Sequence, residues 1–499
     1  MTGTQTSPDL KTFTANFAAG KTQLVSRWTV ADLETPVSAY LKLCHDKPYS
    51  FLFESVEGGA VLGRYSAIGL SPDFIWRYPD DAKQGNPLDE LKAHVKNSRI
   101  DEPGENMPPM AASGLFGYLG YGMIRLIENI PDANPDELGI PESVLIRPTL
   151  MVIFDNVKSM ICLSTPVREH KGNTRKTARQ VYDSAAALLE ETAGKLSGLL
   201  PKHLADNETA LEKTPEPTAR TKKEDFKKSV RKAIDYIRAG DIFQVVPSVR
   251  FSLPFDLPFI ELYRALRRVN PSPFLFHLNF GDFAIVGSSP EIMVRVRKGA
   301  VTIRPIAGTR KRGATAAEDK DLAEDLLNDP KERAEHLMLL DLARNDVGRV
   351  AEIGSVKVTD QFSIEHYSHV MHIVSNVEGK LRADLDPLDA LFAGFPAGTV
   401  SGAPKIRAMH IIDELEPVKR GFYGGCIGYL DGSGDVDTCI ALRTALVKDG
   451  KIYMQASAGI VADSDPESEY QECINKARAI IDAAEQAVRT ARTKRRKAS

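Results

Sequence analysis

With 499 residues, 42% of them hydrophobic and 26% charged, the sequence has an ordinary globular composition and the length for about two to four domains. A net charge of −3 provides no global field for nucleic acid or an anionic membrane, and with no apolar leader core and no apolar run of roughly 18 residues, neither secretion nor a membrane span is expected. Five cysteines (Cys44, Cys162, Cys426, Cys439 and Cys473) are odd in number and lack a CxxC spacing, so they read as reduced thiols of a cytoplasmic protein, not as a disulfide scaffold.

Residues 1–20 are polar and expected to be loosely held. A short helix is predicted over 38–43, and the following YSFLFESVEGGAVLGRYSAIGLSPDFIWRY alternates apolar clusters with glycines, as β-hairpins do. Residues 88–95 read as a helix and 107–110 as a proline-rich loop. In 114–122, GLFGYLGYG, glycines among aromatics predict a closely packed strand and turn; the alternative, a phosphate-cradling loop, lacks the GxGxxG pattern. Two strands are predicted over 149–163 and a long amphipathic helix over 177–200.

The clearest boundary is the charged, proline-containing KHLADNETALEKTPEPTARTKK beginning at 202. It divides the chain into an N-terminal region (1–201), a linker or surface excursion (202–222), a second domain (223–490) and a basic tail (491–499). From 223 the pattern gives a helix to 239, GDIFQVVPSVRFSL as one strand, a helix over 259–268, and hairpins turning at Gly281-Asp282 and Lys298-Gly299. Residues 356–379 are strand-like and 387–392 begin a helix. The strands GGCIGYL, DTCIALRTALV and KIYMQASAGIV follow, and a last helix runs from 466 to about 492. Hairpins with irregularly interspersed helices predict an α+β fold of large, mainly antiparallel, paired β-sheets flanked by helices.

Two stretches concentrate chemistry: DPKERAEH at 329–336 and DPESEYQECINK at 465–476. Each opens with Asp-Pro, an N-cap followed by a first-turn proline, and then sets two glutamates three residues apart: Glu332 and Glu335, Glu469 and Glu472. Glu332 and Glu335 continue the helical stripe of Leu339 and Leu342, so they are expected to face inward. A buried carboxylate must be protonated, paired or bound to a cation. Two such helices converging would form an all-oxygen site suited to Mg²⁺, which takes one or two carboxylates and keeps waters or substrate anions. The plainer alternatives are a capping box closed by Glu332 and solvated glutamate pairs.

In chain order, GDIFQVV (240–246), NPSPF (270–274), GSSPE (287–291), RPIAGTR (304–310), KERAEHLMLLDLARND (331–346), SHVMHIVSNVEG (368–379), FPAGTVSGAPKIRAM (395–409), GGCIGY (424–429) and ASAGIVADSDPESEYQECINKA (456–477) resemble the chorismate-utilising enzymes. Among these, the resemblance is to the large, aminating subunits that form anthranilate at the first committed step of tryptophan biosynthesis. Residues 223–490 carry nearly all of it. FLFESVEGGAVLGRYS in the N-terminal half resembles the tryptophan-sensing LLES segment, with Phe53 at its second leucine.

The resemblance implies addition of ammonia to chorismate at C2 with loss of the C4 hydroxyl, then elimination of pyruvate. It assigns Mg²⁺ to Glu335 and Glu472, with Glu332 and Glu469 as direct or water-mediated partners. Glu291 becomes the general acid at C4, and His372 acts in the loss of pyruvate. Arg443 with Tyr423 would clamp the enolpyruvyl carboxylate, and Thr399, Gly398, Thr309 and Gly459 would approach the substrate closely. Lys405 would lie near the same loop or pair with a surface carboxylate. Gln244 stands where water-activating relatives place a lysine base, and Ala307 where para-aminobenzoate relatives place a nucleophilic lysine, so direct ammonia addition is implied. No cysteine lies in a GxCxG-type elbow, so a glutamine amidotransferase partner subunit is expected to supply the ammonia. Tryptophan is expected as a feedback inhibitor bordered by Glu54, Ser55, Pro273, Phe274 and Tyr429, near Cys439. There Phe274 replaces the family's tyrosine, and ordinary inter-sheet packing is the alternative. The competing functions are an aminodeoxychorismate-type sibling enzyme and, from another class, a non-catalytic amino-acid-binding regulatory subunit.

Overall fold

The computed structural model describes residues 6–498 apart from 46, 58–60, 82–84, 112–113, 202–215 and 368–369. Most of the expected linker therefore lies outside the described residues.

Strand side chains alternate between faces, and here the alternation separates three cores. Leu52, Ile68, Leu275 and Ala445 face a core covered by helices that include Lys223–Arg238, Phe259–Val269 and Pro466–Ala498. Their neighbours Phe51, Ala67, Phe276 and Leu446 face a central core shared with Phe116, Tyr118 and Ile427. On the far side Leu115, Leu119, Cys426 and Leu430 point away from that centre, under helices Pro330–Gly348 and Pro387–Gly394. The layers run helices, sheet, core, sheet, helices, which is the paired-sheet α+β arrangement expected.

Among the described residues, hydrogen bonds join 19 strands into one antiparallel network. The network crosses the linker. Ser50–Glu54 pairs with Phe274–Asn279, Leu52 opposite His277, and Gly114–Leu119 pairs with Cys426–Asp431, Gly117 opposite Gly428. A Cβ at Gly117 would lie 2.0 Å from the Val144 carbonyl oxygen, so the glycine-aromatic stretch is the close-packed strand its sequence suggests.

Several elements depart from expectation, among them DTCIALRTALV, which is two strands, Val436–Ile440 and Thr444–Lys448, rather than one. Residues 1–20 are not all loose: Leu10–Ala18 is a helix, capped by Asp9 and anchored by buried Phe13 and Phe17. GDIFQVVPSVRFSL is not one strand. Pro247, which has no ladder N–H, separates Gln244–Val245, paired with Gly402–Ala403, from Ser248–Pro254, paired with Lys451–Ser457. Helices Ala316–Asn328 and Lys405–Leu415 were not foreseen, and the last helix continues to Ala498. Among the described residues no helix is long and apolar enough to cross a membrane.

Candidate active site

Glu291 sits between strands Phe283–Ser289 and Ile292–Arg297 and is 4% exposed. Thr399 donates its hydroxyl to Glu291 Oε1 at 2.8 Å, and the Ile306 backbone N–H also bonds the carboxylate. Burial outweighs these bonds and the fields of Lys476 and Arg443, so the carboxyl is pushed up to about 8. It therefore holds a proton near neutral pH. Arg443 adopts a φ of +47°, a region a non-glycine side chain enters only where its surroundings hold it. Desolvation lowers its pKa despite the neighbouring Tyr367 and Glu291, leaving a poorly hydrated guanidinium available to an anion.

His372 has the opposite character. Its Nδ1 lies 2.8 Å from the Gly308 carbonyl, which can only accept, so the proton sits on Nδ1 and the lone pair on Nε2. Burial holds the imidazole down to about 4, so it is neutral where Glu291 is protonated. The Thr309 hydroxyl is 3.1 Å from the same Nδ1. The ring of Tyr367 meets the imidazole edge-on, and its hydroxyl donates to Glu365, which pairs with Arg304.

The two Asp-Pro signals start helices as read: Asp329 accepts from the Lys331 and Glu332 N–H groups, and Asp465 from Ser468 N–H. Glu332 is spent on Arg310 at 3.2 Å rather than on a capping box. Burial, then Glu332, raises the Glu335 pKa, with a further push from Glu472; Lys476 and a hydrogen bond from Gln244 oppose it. Glu469 is raised by burial and by Glu472. Glu472 is half-exposed and bonded to Lys476 at 2.6 Å, while Lys476 also donates to the Ser457 carbonyl at 2.9 Å. The helices thus converge closely enough for their carboxylates to perturb one another. Among the described residues, however, no group of three or more His, Cys, Asp or Glu side chains could hold a metal by itself. The donor set still suits Mg²⁺: it is all oxygen, it offers one or two carboxylates at a time, and Glu335 carries crowded charge that a cation would relieve.

Gln244 is buried, and its amide nitrogen lies 2.6 Å from where a Cβ on Gly459 would stand, so the glycine makes room for it. A Cβ on Gly398 would meet Leu342 at 2.1 Å, which packs the turn before Thr399 onto the carboxylate helix. The Tyr423 hydroxyl donates to Ser457 at 2.8 Å and its ring lies against Arg420. Lys405 pairs not with a surface carboxylate but with buried Asp346, at 2.9 Å. Ala307 stands opposite Ile373, beside His372.

A cavity of about 470 Å³ lies behind Glu291: Pro290 and Ile292 line it, together with Glu54, Ser55, Pro273, Phe274, Tyr429 and Cys439. The residues expected to border an inhibitor therefore surround one space. The Glu54 carboxylate is already satisfied by Arg267 and Tyr263. Sequence reasoning missed Lys476, Tyr367 and Arg420. The spacing of Lys476 four residues after Glu472, and of Arg420 four residues after Glu416, was a usable signal for an ion pair; Tyr367 carries no such charge signal, and its place beside His372 depends on the strand fold.

A family model described as chorismate binding enzyme matches residues 47–482. Anthranilate synthase component 1 of Cereibacter sphaeroides is 52% identical over 493 residues, covering 96% of this chain and 97% of that one. The protein of that name from Pseudomonas aeruginosa is 48% identical over 485 residues, covering 92% and 95%. The crystal structure of anthranilate synthase component I from Streptococcus pneumoniae TIGR4 aligns with a TM-score of 0.74 at 36% identity, over 91% of this chain and 99% of that one. The chain belongs to the chorismate binding enzyme family, among the anthranilate synthase component 1 proteins.

Proposed function

We propose that the chain converts chorismate and ammonia to anthranilate, water and pyruvate. The observation that carries this reading is the buried Glu291 carboxyl, raised to about 8 and bonded to Thr399. Hydroxide is a poor leaving group and needs such a donor. As ammonia bonds at C2 and the ring double bond shifts, the C4–O bond breaks, the Glu291 proton leaves with the hydroxyl as water, and the new C2 ammonium sheds one proton, which restores the protonated carboxyl. In the second step a base takes the C2 proton while the ether C–O bond breaks, and the released enolpyruvate gains a proton to become pyruvate. Neutral His372, with its lone pair on Nε2, supports the role of that base. Arg443 is assigned to the enolpyruvyl carboxylate, and Thr309, Gly398, Tyr423 and Gly459 to the walls around the ring.

Mg²⁺ bound through Glu335 and Glu472, with Glu332 and Glu469 around it, would supply a hard positive charge against the ring carboxylate. The relatives are called component 1, and we assign this chain a glutamine amidotransferase as its second component and ammonia source. Five buried free cysteines support a reducing, cytoplasmic setting. The cavity of about 470 Å³ is assigned to tryptophan as feedback inhibitor, which requires unequal affinity for two arrangements of the chain.

The test is fluorimetric. The purified chain, given chorismate, an ammonium salt and Mg²⁺, should generate anthranilate fluorescence that tryptophan suppresses. Glu335→Gln should abolish it with circular dichroism unchanged. Chorismate consumed without fluorescence would assign an aminated chorismate as product, and no consumption would overturn the reading.

A further inference from the structure

We infer that Arg420 is a positioning residue for proton donation by Glu291, because one guanidinium holds together the turn that carries Thr399 and the strand that carries Gln244. Arg420 is 3% exposed and follows helix Lys405–Leu415. Its Nη1 donates to the Val400 carbonyl at 2.5 Å and its Nη2 to the Val246 carbonyl at 2.6 Å. Val400 adjoins Thr399, and Val246 closes the GDIFQVV stretch. Nε and Nη2 also grip Glu416 at 2.9 and 2.6 Å, and the guanidinium lies 4.7 Å from the ring of Tyr121 and 5.7 Å from that of Tyr423.

The anchor beneath it is built with equal care. Glu416 accepts from the Ser248 N–H at 2.8 Å and its hydroxyl at 2.6 Å, and Gln455 donates to that hydroxyl at 2.6 Å. Two of the chemistry-bearing stretches, 240–246 through Val246 and 395–409 through Val400, therefore meet on one side chain. Only a planar fork with several fixed donors can serve two separated carbonyls and a carboxylate together; a lysine could neutralise Glu416 but not hold both carbonyls. The cost of burying two charges is met by the pairing and by these extra bonds, and such a network fixes geometry more than it adds stability.

The chemical consequence runs through Thr399. Its hydroxyl bonds the charged form of Glu291 and so opposes the effect of burial. Releasing Val400 frees Thr399 to drift, and Glu291 then holds its proton more tightly.

This coupling rests on Glu291 as the acid, so its test does not depend on turnover. In infrared titration of the full chain, the protonated-carboxyl band of Glu291 is assigned by its loss in Glu291→Gln. Thr399→Val should raise the midpoint of that band above the native value. Arg420→Lys should raise it in the same direction, and the double variant should go no further than Thr399→Val. In the fluorimetric assay Arg420→Lys should lower kcat about tenfold with KM for chorismate nearly unchanged. A native midpoint in Arg420→Lys, an additive shift in the double variant, or no shift in Thr399→Val would each overturn the proposal. Should Arg420→Lys fail to fold, Ser248→Ala, which loosens Glu416 beneath the guanidinium, carries the same test, and an unmoved midpoint there overturns it. Absence of anthranilate from the native chain would count against the proposed reaction and leave the infrared result standing.

Discussion

Glu291 and His372 reach opposite protonation states through the same cause. Burial lifts the carboxyl to about 8 and drops the imidazole to about 4, so between those values the proposed acid holds its proton and the proposed base has none. Activity should therefore decline as pH rises through about 8, when Glu291 ionises, and as it falls toward about 4, when His372 charges. The same shifts bear on stability with opposite sign. The raised carboxyl favours the fold below its ordinary value of 4.5, and that contribution is lost as pH rises through about 8; the depressed imidazole favours it above 6.5, and that contribution is lost as pH falls through about 4. Glu291→Gln should thus be inactive and yet more stable than the native chain at alkaline pH, by up to roughly 5 kcal/mol in denaturant melts, with no gain in mild acid. GSSPE and MHIVS single out Glu291 and His372 as candidates in the sequence. Their protonation was not legible there, because burial is a property of the assembled fold. The i,i+4 pair of Glu416 and Arg420 reads as an ordinary helical ion pair, and only the assembled fold brings the Val246 and Val400 carbonyls to the same guanidinium.

At the scale of elements, the strongest local signals held. Asp329-Pro330 and Asp465-Pro466 open helices, and the hairpin turns fall where glycine permits them. Ala316–Asn328 was missed because only Leu326 among its residues is buried, which leaves no apolar stripe to read. Lys405–Leu415 was missed because a proline precedes it and its first residue is a lysine that turns out to be buried. That lysine ties its helix to the carboxylate helix through Asp346. Asp346→Leu alone would strand a buried ammonium and should cost about 3–5 kcal/mol, whereas Asp346→Leu with Lys405→Met should recover most of the loss. Denaturant midpoints of the two variants check this. The break at Pro247 mattered more than either missed helix, since it lets Gln244 pair toward Gly402–Ala403 and reach Glu335.

For the whole molecule, the layer order follows from strand alternation, but which strands neighbour one another could not be read from the sequence. Pairing across the linker joins residues hundreds of positions apart, and no local pattern encodes it. Phe274–Asn279 relies on Ser50–Glu54, Cys426–Asp431 relies on Gly114–Leu119, and the central core draws Phe51, Phe116 and Tyr118 from the N-terminal half. A fragment of residues 216–499 should therefore aggregate when expressed alone and become soluble with near-ultraviolet dichroism when residues 1–201 are co-expressed. The cavity spans the same seam, with Ser55 on one side and Pro273 and Tyr429 on the other. Ser55→Ala should weaken tryptophan inhibition several-fold and leave uninhibited turnover as it was, as dose-response curves would register.

Pro290 and Ile292 line that cavity of about 470 Å³ on either side of Glu291, whose carboxyl bonds Thr399. On the proposed assignment of that cavity to tryptophan, a cell poisoned by a tryptophan mimic has an uneven set of escapes. Replacements at 290 or 292 should disturb the proposed acid along with the proposed inhibitor's wall and leave their bearers starved of product. Surviving lineages should carry their changes at 55, 273 or 429, and the 290–292 ridge should stay intact through many rounds of such selection.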